Sequence, residues 1–156
     1  MLRLSLPLLA LAVIAVGCAS APPVAQGEFD PESARAQIEA TNRVFSEGFR
    51  AGDADRIAAL YTDDARFLEP DAEVRVGREA IRAYWQASLA FITDMTLTTR
   101  SLGGTREMLV ETGEVDTTIE TEGGAFVQRD KYVNVWRLQP DGTYRIAVDM
   151  WNGRPD

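Results

Sequence analysis

The stretch MLVETGEVDTTIETEGGAFVQRDKYVNVWRLQPDGTYRIAVDMWN, residues 108–152, decides the fold. It holds three long runs rich in β-branched and aromatic residues, over 108–121, 126–138 and 144–152. Between them stand Glu122-Gly123-Gly124 and Pro140-Asp141-Gly142-Thr143. Runs of this composition joined by short Gly- and Asp-containing links read as antiparallel hairpins. A further strand is expected over 95–102, ahead of Gly103-Gly104.

Upstream of that block the apolar period lengthens to helical spacing. Asp30-Pro31-Glu32 opens a helix, because Asp caps free N–H groups and Pro is harmless in a first turn. Ile38, Thr41, Phe45 and Phe49 mark its buried stripe, and Gly52 supplies the left-handed residue that closes it. Asp53 then caps a second short helix carrying Ile57, Leu60 and Tyr61 and ending at Asp63-Asp64. Phe67 lies on a short strand that Pro70 terminates, with 74–76 as its pairing candidate. A third helix follows Gly77, with Ile81, Tyr84, Trp85, Ser88, Leu89 and Ile92 along one side. Helices gathered at one end and strands at the other predict an α+β domain whose three helices cover one face of a curved, mostly antiparallel sheet.

Three segments are expected: a signal over 1–17, a flexible tether over 18–30, and one domain over 31–156. Leu4 to Gly17 is a charge-free run preceded by Arg3, too short for the roughly 20 residues of a spanning helix. It ends in Ala15-Val16-Gly17-Cys18, which resembles the lipobox of bacterial lipoprotein precursors, where the cysteine is lipidated and becomes N-terminal. Ordinary cleavage near Ala19 to Ala21 is the alternative. Residues 19–28, ASAPPVAQGE, lack periodicity and suit a mobile tether. The resemblance implies a cell-envelope lipoprotein held to the membrane by its lipid alone, on the periplasmic face of the outer membrane if the cell is Gram-negative.

Composition narrows the chemistry. With 24 Asp and Glu against 16 Lys and Arg, the formal charge of -8 speaks against a nucleic-acid partner. The chain has no histidine and one cysteine, so Ser-His or Cys-His nucleophile pairs, imidazole-dependent zinc sites and internal disulfides are excluded. No metal or cofactor is expected. Acid–base work falls to carboxylates, Tyr or Lys.

Four pieces in order carry a family resemblance: Phe49-Arg50-Ala51-Gly52-Asp53, the stretch Ala58-Ala59-Leu60-Tyr61-Thr62-Asp63-Asp64-Ala65, Gly77-Arg78-Glu79-Ala80-Ile81, and Tyr84-Trp85. They resemble the cone-shaped superfamily of nuclear transport factor 2, and within it the bacterial SnoaL-like (SgcJ/EcaC-type) proteins of largely unknown function. The ends of those proteins are similar to Val135-Trp136-Arg137 and Asp149-Met150-Trp151-Asn152. The resemblance implies a pocket between the concave sheet face and the helices, and a habit of pairing through the sheet. It implies fold far more than activity.

The even face of 126–136 reads Phe126, Gln128, Asp130, Tyr132, Asn134, Trp136, which mixes rings and polar groups as ligand cavities do. On the last strand Tyr144, Ile146, Val148 and Met150 form an apolar face, either core or a dimer surface. Fold analogy turns Asp149 and Trp151 inward. The candidate ligand contacts are therefore Tyr132, Asn134, Trp136, Trp151 and Asn152. The candidate catalytic groups are Glu69, Asp130 and Asp149.

Glu69, before Pro70, stands where the ketosteroid isomerase branch of the superfamily has its base, and Asp130 where that branch has a protonated acid donating to the oxyanion. The branch's oxyanion tyrosine falls at Phe45, which has no proton to donate, so steroid isomerisation is not implied. If Glu69, Asp130 and Asp149 converge, at least one should hold its proton above the usual range, with mid-strand Asp130 the candidate. Other readings stay open: Glu69 solvated at a strand end, Asp130 or Asp149 paired with an arginine, Trp151 closing the core, and Tyr61, Tyr84 and Trp85 as packing. The acidic run Glu111, Glu114, Asp116, Glu120 and Glu122 reads as a solvated face.

Three functions compete: a lipoprotein binding a small apolar or aromatic molecule, a carboxylate-based isomerase or lyase acting on a carbonyl compound, and a homodimeric interaction module with a vestigial pocket.

Overall fold

A computed structural model describes residues 29–153; the signal expected over 1–17, Cys18 and all but the end of the tether lie outside them. Helix α1, Pro31–Ala51, begins where Asp30 accepts a hydrogen bond from Glu32 N at 3.0 Å and ends at Gly52, whose φ of 66° is left-handed. Its buried side carries Ile38, Asn42, Phe45 and Phe49. Asp53 caps α2, Ala54–Ala58, through Arg56 N at 2.9 Å. This helix is shorter than expected. Leu60 O accepts from Ile146 N at 2.9 Å, which draws the chain into the sheet, so Tyr61 starts strand β1 (Tyr61–Leu68) and does not end a helix.

After the two-residue β2 (Arg75–Val76) and α3 (Arg78–Ser88) come four long strands: β3 (Ile92–Gly104), β4 (Met108–Thr121), β5 (Gly124–Leu138) and β6 (Tyr144–Gly153). Ile92, expected on α3, opens β3 and pairs with Ile119. The six strands run in the order β2-β1-β6-β5-β4-β3 in a curved, unclosed sheet. All neighbours are antiparallel except β1 and β6, which are parallel. The α+β expectation holds, including the pairing of 75–76 with Arg66 and Phe67.

A bulge on β6 positions the site. Trp136 pairs with Ile146, yet its neighbour Val135 pairs with Val148, so Ala147 is an extra residue and the alternation changes phase there. Tyr144 and Ile146 point into the core on one side of the bulge, and Asp149 is buried on the other, while Met150 is exposed. The apolar even face of residues 144–150 is therefore not one surface. Its first half is core, and only Val148 and Met150 belong to the outer side.

The core gathers Phe45, Phe49, Phe67, Tyr84 and Trp85, with ring centroids 4.8 to 5.7 Å apart and mostly tilted or edge-on. Burying each ring contributes about 1.5–3 kcal/mol, so this cluster ties α1 and α3 to the sheet.

Candidate functional site

Between the helices and the concave sheet face lies a cavity of about 220 Å³. Its apolar wall comes from Phe45 on α1, Phe67 on β1, Tyr84 and Trp85 on α3, and Met95 and Leu97 on β3. Its polar wall comes from Gln128, Asp130, Tyr132 and Asn134 on β5 and from Asp149 on β6, with Trp151 beside them. The even face of β5 thus faces the cavity through four of its six residues. Of the other two, Phe126 is half exposed, and Trp136 is fully buried and stands outside the lining.

Asp149 is the most elaborated group. Tyr61 OH donates to its Oδ2 at 2.5 Å and itself accepts from Trp85 Nε1 at 3.2 Å. In the orientation that satisfies both its ends, the Asn134 amide donates to Oδ1 at 3.2 Å. Burial pushes the Asp149 carboxyl up to about 6; the Tyr61 hydrogen bond opposes this and the Glu111 charge adds to it. Asp149 is bound by neutral donors, with no arginine on it among the described residues. Burial also raises the Tyr61 hydroxyl well above its usual range, with the Asp149 charge second, so Tyr61 remains a proton donor to Asp149 at neutral pH.

Asp130 is buried at 3% exposure, and Gln128 Nε2 donates to its Oδ2 at 2.7 Å. It makes no ion pair among the described residues. Glu69 does not line the cavity: Arg75 pairs with it, and the same guanidinium lies over the Tyr84 ring at 4.5 Å from the centroid. Burial raises the Tyr84 hydroxyl, with the neighbouring Glu69 next in effect, which places Glu69 and Arg75 behind the Tyr84 wall. Asn152, expected as a ligand contact, is exposed, pairs with Lys131 on the outer side, one residue out of phase with Trp151, and stands outside the cavity lining.

Within the acidic run read as solvated, Asp116, Glu120 and Glu122 are exposed as expected, but Glu111 is not. Its side chain is fully buried. Asn42 Nδ2 donates to Oε1 at 2.8 Å, Thr99 Oγ1 at 2.6 Å and Tyr132 OH at 2.7 Å, while Trp136 Nε1 donates to Oε2 at 2.9 Å. Trp136, expected as a ligand contact, thus serves this knot and stands outside the cavity lining. The signal was available, because Glu111 has the same strand parity as Leu109, Val115 and Ile119, and the charge alone obscured it. Gly113 completes the arrangement: a Cβ there would lie 2.4 Å from the Tyr132 ring, so only glycine lets that ring cross β4.

The chain belongs to the SnoaL-like family, whose SnoaL-like domain matches residues 42–148. Its fold is that of the nuclear transport factor 2-like superfamily. A ketosteroid isomerase-like protein from Erwinia carotovora superposes with a TM-score of 0.70 at 17% identity, over 81% of this chain and 100% of that one. A protein of unknown function from Mycobacterium tuberculosis gives 0.68 at 21% identity, over 81% and 78%. A nuclear transport factor 2-like superfamily protein from Salmonella enterica gives 0.69 at 13%, over 80% and 94%. No curated protein matches the chain in sequence. At these identities the likeness is one of fold.

Proposed function

We propose that the protein binds a small, largely apolar molecule in the cone cavity, as an envelope protein tethered through Cys18. The observation that supports binding is an aromatic cavity into which two buried carboxyl groups, Asp130 and Asp149, are set without an ion-pairing partner. A dry core does not keep such groups beside open volume. A thermal-shift screen of small apolar compounds tests this. A ligand that prefers the native state raises the midpoint in a concentration-dependent way, and a flat response across the screen contradicts the reading. The tether is tested by mass. Membrane-fraction protein should carry an acyl increment on Cys18 that Cys18→Ser abolishes, and an unmodified mature N-terminus after Cys18 contradicts it. In a Gram-negative cell the lipidated form belongs at the periplasmic face of the outer membrane.

A second reading is favoured by one observation, the Asp149 carboxyl poised near 6 beside the cavity. In it, Asp149 exchanges a proton with a carbonyl compound, and the neutral donors Tyr61 and Asn134 hold its oxygens in place. Glu69, engaged by Arg75, gives up the role of base. Asp149→Asn should then cost about 100-fold or more in rate.

Self-association through the outer sheet face is compatible with either reading. Val110, Val135 and Val148 stand in register across β4, β5 and β6, next to half-exposed Met150. Light scattering at twice the monomer mass is the expected result.

A further inference from the structure

The cavity's charge has no internal complement. Its lining includes two aspartates and no arginine or lysine, and Glu111 lies behind Tyr132 as a third acid. Among the described residues, the ion pairs all use other carboxylates: Glu39, Glu47, Asp55, Asp63, Asp64 and their like on the surface. Arg75, which does touch an aromatic wall residue, has its charge met by Glu69 and stands outside the lining. The rest of the wall mixes aromatic rings, from Phe45, Phe67, Tyr84, Trp85, Phe91 and Trp151, with aliphatic side chains of β3 and β4.

Buried carboxylates without a counter-ion are costly, and an ion-paired cation relieves that cost. Aromatic rings around the same volume attract a cation further through their negative faces, an attraction that grows as water is excluded. An anionic ligand would meet two like charges and no positive group. A neutral apolar ligand would fill the volume and leave both aspartates unmatched.

We infer that the cavity selects a protonated organic amine with a compact aromatic or apolar body, the ammonium paired with an aspartate of the polar wall and the body against the rings. This rests on the binding reading and adds the charge of the ligand to it. Neutral and anionic molecules of the same shape are discriminated against, because neither completes the charge pattern of the polar wall. Asp130 contributes in particular because only Oδ2 is taken up by Gln128; no hydrogen bond among the described residues engages Oδ1.

The test is calorimetric titration of the full chain at pH 7.5 with three probes of one shape: 2-phenylethylamine, 2-phenylethanol and 3-phenylpropionate. The amine should bind at least tenfold more tightly than the alcohol, and the carboxylate more weakly than the alcohol. In Asp130→Asn/Asp149→Asn the ratio of amine to alcohol affinity should fall towards one. The wild-type comparison stands even if that variant fails to fold. An alcohol that binds as tightly as the amine overturns the inference and leaves the binding reading in place. Failure of all three probes, together with a flat thermal-shift screen, overturns both.

Discussion

Two buried carboxyl groups on the strands that flank β5 behave as opposites. Glu111 on β4 is enclosed, receives four donors from α1, β3 and β5, and does not line the cavity. Asp149 on β6 receives two side-chain donors, lies against open volume, and has its carboxyl raised by burial. A carboxylate that accepts several hydrogen bonds is part of the scaffold, whereas one left short of donors beside a cavity is available to a ligand or a proton. Tyr132 joins the two regions, since its ring lines the cavity and its hydroxyl donates to Glu111.

The comparison breaks most visibly at Glu111. Replacing it by alanine strips the acceptor from four buried donors and opens a void, at a cost on the order of 4 kcal/mol. Chemical denaturation should show a loss of that size, and a change under 1 kcal/mol would mean the knot is not structural.

Asp149→Asn should act in the other direction and with pH. The folded state raises this carboxyl from 3.8 to about 6, so between those values the folded chain holds a proton that the unfolded chain has released. Stability from this group is therefore highest below about 3.8, falls as pH rises towards 6, and stays low beyond. The groups facing Asp149 are Tyr61 from β1, Asn134 and Tyr132 from β5 and Glu111 from β4, with Trp85 of α3 behind Tyr61. The asparagine variant should lose that fall and be more stable at pH 7 by up to about 3 kcal/mol, read from urea midpoints across pH 3.5–7. An identical pH profile for both proteins would contradict the assignment.

Gly113→Ala sharpens the link between the regions. The added Cβ meets the Tyr132 ring and Thr98 O, both within 2.5 Å, so the ring must move. A stability loss of about 1–3 kcal/mol is expected, with weaker ligand binding because Tyr132 belongs to both sites. Loss of stability with affinity unchanged would show that the Tyr132 ring does not contact ligand.

What was legible in the sequence follows from local signals. Asp30, Gly52 and Asp53 mark helix ends by short-range hydrogen bonding, and the hairpin turns by composition, so helices and strands could be placed within a few residues. Asp130, Tyr132 and Asn134 could be assigned to a cavity by strand parity, and Asp149 and Trp151 by fold analogy. Three features escaped because they depend on partners distant in sequence. Glu111 looked solvated until Asn42, Thr99, Tyr132 and Trp136 converged on it. Glu69 looked like a base until Arg75 folded back onto it across β1 and β2. Tyr61 looked like helix packing, yet the sheet pulls it into β1, where its hydroxyl reaches Asp149 across 88 residues of chain.

Asp149 is a buried acid facing a cavity whose lining holds no positive group. Carboxyl-carbon NMR titration of Asp149 in the free protein and with saturating 2-phenylethylamine tests it most directly. The expected result is a midpoint near 6 in the free protein that moves down when the ammonium arrives. A midpoint in the range of a solvated aspartate, unmoved by the amine, would contradict it.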